Sequence, residues 1–308
     1  MGLADLVPGV SGGTIALISG IYEEFIESLH GLHPKLFRVL TKKGVVAFWK
    51  ACNCAFLLSV FLGIISSIIL FSSLIGQLLE FYPILLFSFF MGILVASIIV
   101  LRKRVSQWNS SNFGFLFVGF VISFLITQLT PSAGAIESEY FFLCGFIAIS
   151  AMILPGLSGA YILLVMGAYS SILNLVKETK NTLLDRGAYS GAEVLDIYGQ
   201  LLLFIVGIVV GLLTFSRILR WLLKRYYNQT IAVLIGLMIG ALHKIWPWQT
   251  QEILILENKT KILYTAVWPS NFQGDSQWIW ALALFVLGAS ILLFLEKLKD
   301  RFSTGEKA

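Results

Sequence analysis

Apolar residues run along this chain in blocks, separated by shorter polar or mixed stretches. Six blocks, near 52–74, 82–101, 113–130, 199–220, 229–246 and 278–296, come close to the roughly 20 residues that a spanning helix needs. Two more, 3–21 and 140–170, are apolar but interrupted by proline and glycine. The break in the second, at Pro155-Gly156, falls near its middle. Each half is too short to cross a bilayer, yet the whole is long enough to enter and return. Both blocks are therefore expected to be re-entrant helical hairpins, with a kinked complete span as the alternative for each. The stretches 23–50 and 171–198 mix Leu, Phe and Ile with charges, the pattern of helices lying in the interface plane.

The interruptions are copies of one another. Pro8-Gly9-Val10-Ser11-Gly12, followed by Gly20 and Tyr22, returns 147 residues later as Pro155-Gly156-Leu157-Ser158-Gly159, followed by Gly167 and Tyr169. The likeness continues at an offset of 144. Gly63, Phe71, Ser72, Leu78, Leu79, Tyr82 and Gly92 match Gly207, Phe215, Ser216, Leu222, Leu223, Tyr226 and Gly236. Each unit then holds one hairpin, one amphipathic connector and three spans. A hairpin returns to its own side and three spans do not, so the second unit must be upside down. The expected fold is an all-α integral membrane protein of two inverted repeats, residues 1–137 and 138–308, within one integral domain.

Composition agrees with a polytopic membrane protein. Hydrophobic residues reach 57% and charged residues only 13%, against about 25% charged in soluble domains, and the mean hydropathy is +0.86. With 23–50 in the cytoplasm, 16 of the 22 Lys and Arg fall on inner loops and six on outer ones, as the positive-inside rule requires. Both termini are then cytoplasmic. The first hairpin enters from inside, the second from outside, and Trp246, Trp248, Trp278 and Trp280 mark the outer boundary. The net charge of +5 reports this topology. Basic residues at helix ends form no nucleic-acid module. Cys52, Cys54 and Cys144 read as small apolar helix residues, the first two facing apart on one helix; neither metal nor cofactor is expected. The chain opens directly in the first motif without a basic leader, so no signal peptide is read; a late start or a lost cytoplasmic lead-in is expected.

Helix-breaking residues inside a bilayer are tolerated only where protein or a water-filled cavity surrounds them. A matched pair of breaks, one in each half, is the best sequence pointer to a transporter's binding site. Proline removes a donor, glycine lets a ligand approach the backbone, and Ser stands where a hydroxyl caps the returning half-helix. Such a helix start, with free amides and a favourable dipole, suits an anion, phosphate above all. The expected headgroup site is Gly9, Val10, Ser11, Gly12, Gly13 and Thr14 from the first tip, with Gly156, Leu157, Ser158 and Gly159 from the second. Close-packing kinks are the plainer reading. Asp5, whose counterpart is Met152, is either a surface cap or a proton or cation relay. Glu23 is either solvated at the interface or a coupling contact. Arg217 and Arg220 either snorkel or grip phosphate. His243 either anchors at the interface or touches a headgroup.

These residues resemble the bacterial polyprenyl-phosphate transporter family, the undecaprenyl-phosphate translocases. The likeness rests on Met1 through Thr14 with Gly20-Ile21-Tyr22-Glu23, and on Ala151 through Gly159 with Gly167-Ala168-Tyr169. It extends to Gly236-Leu237-Met238-Ile239-Gly240 through Trp246-Pro247-Trp248. The resemblance implies a non-enzymatic flippase that returns a lipid carrier of cell-envelope biogenesis from the outer to the inner leaflet by alternating access. Its implied partners are the polyprenyl-phosphate lipid, membrane lipids, a co-transported proton or cation, and a second copy in a homo-oligomer. Two enzymes compete with it. A serine protease would need a base beside Ser11 or Ser158, and the nearest histidine, His243, is placed at the outer edge. A polyprenyl-diphosphate phosphatase shares Pro-Gly-x-Ser but continues with Arg, where this chain has Gly12 and Gly159. A transporter for another anion is the third alternative.

Overall fold

The computed structural model describes residues 1–7, 10–32, 35–129, 138–184, 190–256 and 259–305. Pro8, Gly9 and the expected repeat boundary at residue 137 lie outside them. The chain opens with a short α1 (Gly2–Asp5) and α2 (Gly12–Ser19), then α3 (Tyr22–Gly31) and α4 (Lys35–Ala51), the last kinked at Gly44. Three long apolar helices follow: α5 (Cys54–Phe81), α6 (Pro83–Arg102) and α7 (Ser110–Gln128). Pro83 starts α6, where its missing N–H costs nothing and its fixed φ suits a first turn. The second half runs α8 (Tyr140–Ile153), α9 (Gly159–Val165), α10 (Tyr169–Leu184), α11 (Gly191–Arg225) and α12 (Tyr227–Ala241). Strands β1 (Gln249–Leu256) and β2 (Lys259–Ala266) precede the last helix, α13 (Trp278–Gly305).

Among the described residues, five helices are long and apolar enough to cross a membrane, six if the bent pair α9–α10 counts as one. That pair turns by 109° at Gly167, whose φ of +74° only glycine adopts readily. Gly20, its counterpart 147 residues earlier, turns α2 into α3 with φ +79°. The chain is thus a multi-pass, overwhelmingly helical membrane protein.

Three expectations need correction. The block 171–198 is not one connector, because its end joins the following span in the 35-residue α11. At 1.5 Å per residue that helix is roughly 52 Å long, well over a hydrocarbon core of about 30 Å. Ser190 and Glu193 start it with a reciprocal capping box, which fixes its beginning ahead of the apolar run. Within the polar block 247–277, β1 and β2 pair antiparallel, with Gln249 opposite Ala266. Trp246 Nε1–H donates to Val267 O at 2.8 Å and Trp248 Nε1–H to Ser276 O at 2.8 Å, tying this hairpin to the end of α12. Finally, Cys52 and Cys54 do not face apart. A helix break at Asn53, φ +49°, turns them together into a disulfide.

The tightest helix seams depend on glycine. A Cβ on Gly92 of α6 would collide with the carbonyl oxygen of Phe285 on α13, and one on Gly288 of α13 with that of Phe89. Likewise a Cβ on Gly236 of α12 would strike Leu116 O on α7, and one on Gly119 of α7 would strike Val233 O. The two sets correspond residue by residue: 92 and 89 precede 236 and 233 by 144, while 116 and 119 precede 285 and 288 by 169. Side-chain-free contact lets backbones approach closely where the bilayer gives helices little hydrophobic drive to associate. Gly92→Ala or Gly236→Ala should therefore cost about 1–3 kcal/mol through overpacking. Gly114→Ala, on α7 with nothing within 4 Å of the added methyl, should be neutral or slightly stabilising; thermal unfolding in detergent checks the contrast.

Candidate functional site

The start of α2 and the break after α8 meet in the protein interior. Ser11, 1% exposed, caps α2 by accepting from Gly13 N at 3.1 Å. Its hydroxyl proton is directed at the carbonyl oxygens of Met152, at 3.2 Å, and Leu154, at 3.3 Å. Tyr22, fully buried at the start of α3, donates its hydroxyl to Ile153 O at 3.1 Å. The carbonyls that end α8 at the second break thus receive donors from the first hairpin. In return Thr14 Oγ1, also 1% exposed, accepts from Gly156 N at 3.1 Å. Gly156 holds φ +83°, and a Cβ there would press on the backbone of Leu237 and Met238 in α12. Gly13 is as tightly placed: its Cβ would sit 2.5 Å from Ile153 O.

Asp5 supplies the unexpected element. Its Oδ1 accepts from Gly12 N at 2.7 Å. The first amide of α2 therefore faces a carboxylate of this same chain, at the end of the helix that favours an anion. Asp5 Oδ2 is buried and has no hydrogen-bond partner among the described residues. In the second hairpin the same spatial relation puts Met152 beside Gly159, whose Cβ would approach both Met152 and Ala148. Ser158 begins α9 but makes no side-chain cap bond, and it is half-buried where Ser11 is sealed. Val10 and Leu157 pack in the apolar core.

A second polar group joins the halves at the far end of α11. Glu27 Oε1 lies 2.7 Å from Lys224 Nζ and 3.2 Å from Arg220 Nη2. Tyr227 donates its hydroxyl to Glu23 at 3.2 Å, and Asn53 Nδ2 donates to Glu24 at 2.9 Å and to Ser28 at 3.1 Å. Among the described residues no three His, Cys, Asp or Glu side chains converge as metal ligands.

Residues 1–263 match the family model described as undecaprenyl phosphate translocase-like. The chain belongs to that family. A polyprenyl-phosphate transporter of Vibrio cholerae is 38% identical over 310 residues, covering 98% of this chain and 94% of that protein. One from Staphylococcus aureus is 28% identical over 270 residues, 83% of this chain and 86% of its own. No solved structure matches.

Against this family membership the expected site residues fall into two groups. Asp5, Ser11, Gly12, Gly13 and Thr14 come together with the 152–156 break and with Gly156 itself, while Gly9 lies outside the described residues. The amides expected to be bare are not: Gly12 N, Gly13 N and Gly156 N are all engaged within the protein. Arg220 and Glu23 belong instead to the ionic group on α3, Arg217 is exposed on α11, and His243 is exposed with its ring 5.5 Å from that of Phe124. Two residues were readable but given no role at the site. Tyr22 stands at a fixed place in both motif copies. Glu27 follows Glu23 by four, as Lys224 follows Arg220, so each pair shares one helix face.

Lys224 first, then Arg220, hold the Glu27 carboxyl below the usual carboxylate range. A depressed folded value means a contribution that is complete above the unfolded pKa of about 4.3 and is lost as the pH falls through the folded value. The thermal advantage of the wild type over Glu27→Gln should accordingly be constant near neutrality and vanish in acid. Screening of so exposed a pair should make it shrink with added salt as well. An equal difference at every pH would show that the ion pair contributes nothing.

Proposed function

We propose that this protein moves polyprenyl phosphate, undecaprenyl phosphate in particular, across the bacterial cytoplasmic membrane, returning the carrier from the outer to the inner leaflet as a transporter rather than an enzyme. Family membership and the names of the two relatives support the substrate. The observation that carries the mechanism is the Asp5 carboxylate on the Gly12 amide. That amide is an anion seat at a helix start in the membrane interior, held by an internal anion when no lipid is bound. The headgroup site is the junction of Val10–Thr14 with Gly156–Gly159, Gly9 included.

Substrate phosphate and Asp5 cannot share the seat, because two anions at hydrogen-bond distance in a low-dielectric interior repel strongly. Loading therefore requires Asp5 to leave or to take a proton. Its second oxygen, buried without a hydrogen-bond partner among the described residues, is a natural place for that proton, since neutralising a buried charge removes its desolvation cost. Exchange of the two anions then ties lipid movement to proton movement. Ser158, half-buried and free of a cap bond, is a second hydroxyl for the phosphate as it shifts toward the other tip.

The reading includes two inverted repeats, 1–137 and 138–308, with both termini cytoplasmic. Its support is the paired φ of Gly20 and Gly167, the matching glycine seams, and the bias of Lys and Arg toward one set of loops. In this orientation the Glu27–Lys224–Arg220 group faces the cytoplasm.

The deciding experiment is a leaflet-resolved flipping assay of labelled undecaprenyl phosphate in proteoliposomes. Wild-type protein should redistribute the lipid and respond to an imposed pH gradient. Asp5→Asn should abolish the response to the gradient while the lipid still binds. Ser11→Ala and Thr14→Val should slow transport about 10- to 100-fold, as expected for losing a hydrogen bond near a charged group. A wild type that leaves the distribution unchanged would defeat the proposal; Asp5→Asn that keeps the gradient response would remove the coupling role.

A further inference from the structure

Beside the first hairpin lies an apolar cavity of about 700 Å³, within the range of about 300–1,000 Å³ for pockets that enclose small ligands. Ala4 and Ile15 of the hairpin form one wall. Ile75 and Leu78 of α5 and Phe89 and Ile93 of α6 form the others, with Leu284 closing one side. Its position matters more than its size. Ala4 is the neighbour of Asp5, and Ile15 is one turn beyond Gly12, so the cavity starts where the anion seat ends.

The other half of the molecule fills the corresponding place. Ile75 and Leu78 of α5 correspond, at the offset of 144, to Leu219 and Leu222 of α11. There α3 packs against α11. Leu219 and Leu223 share one apolar core with Phe25, Ile26 and Leu29, and Glu27 fastens the helix through Arg220 and Lys224. In the second half the counterpart of α3 is α10, which packs against α9 and α11. The α5 surface that would answer to the α3-covered surface of α11 is bounded by the cavity instead.

We infer that this cavity seats the headgroup-proximal isoprene units of the lipid whose phosphate takes the Gly12 seat; the inference rests on the transport reading above. The occupant must be apolar, because no lining side chain is charged and Tyr82 carries the one hydroxyl among them. It must also be joined to an anion, because the cavity adjoins the seat that Asp5 now holds. A polyprenyl phosphate meets both requirements. In the proposed orientation the cavity lies in the outer half of the bilayer, since Ile75, Leu78 and Tyr82 end α5 on that side, and the carrier awaits its return in that leaflet.

The test fills the cavity. Full-length Ile75→Trp and Leu78→Trp, checked for unchanged thermal midpoint, are compared with Leu70→Trp, which lies on the exposed face of α5. In proteoliposomes the first two should slow transport of undecaprenyl phosphate by about tenfold or more, the scale on which a pocket resists misfitting apolar groups. They should slow farnesyl phosphate to a similar degree, because its short chain consists of the headgroup-proximal isoprene units, and Leu70→Trp should match the wild type. A photoreactive benzoylphenylalanine at position 78 should crosslink to undecaprenyl phosphate in vesicles of excess phosphatidylglycerol. An equal loss in Leu70→Trp, no loss for either lipid, or crosslinks to phosphatidylglycerol alone would overturn the inference. If the wild type moves neither lipid, the transport reading falls, and the crosslink still decides whether an isoprenoid occupies the cavity.

Discussion

Backbone groups released by a helix break inside hydrocarbon must find partners within the protein, because the bilayer offers none. The centre of this molecule is arranged around that requirement. At the second break the carbonyls of Met152, Ile153 and Leu154 accept from the hydroxyls of Ser11 and Tyr22, and the Gly156 amide donates to Thr14 Oγ1. At the first, Gly12 finds Asp5. The first segment completes the second, while its own Gly12 and Gly13 amides are met from within it. A ligand that engages one tip must compete with bonds already made, and its binding is felt in both hairpins. Satisfaction from within also gives the Gly12 amide its partner: a free amide there would cost more than one held by an internal anion.

Much of this was legible in the residues. Block lengths located the long helices, though α5 and α13 run seven and nine residues past the expected ends and α11 begins eight residues earlier, and the motif at offset 147 pointed to residues 9–14 and 156–159 as a related pair. Gly20 and Gly167 were marked by the same repetition and take the same left-handed turn. The use of the tips was less legible. A serine at a helix start reads as a cap or as a ligand contact, and only the packing shows that Ser11 is buried against carbonyls 141 and 143 residues away. Asp5 read either as a surface cap or as a relay, and only the packing shows that its carboxylate meets Gly12 N. The strands at 249–266 escaped notice for a different reason. Their residues mix Ile and Leu with Lys, Glu and Thr in a polar block beside apolar spans that dominate the composition. The disulfide at Cys52 and Cys54 depends on a helix break at Asn53 that no proline or glycine announces.

The glycine seams have one more consequence. They join α6 to α13 and α7 to α12, so each crosses between the two sequence units rather than lying within one. Backbones pressed together without side chains cannot slide far without collision, and packed interfaces tend to hold discrete arrangements. A seesaw motion of one unit against the other would have to tear both seams. The four helices are better regarded as a single stator. What remains free to change place is the pair of bent tips and the helices that leave them, α3 and α10, of which only α3 reaches across to the other unit. In the transport reading proposed above, the crossing would fall to two small levers moving against a fixed frame.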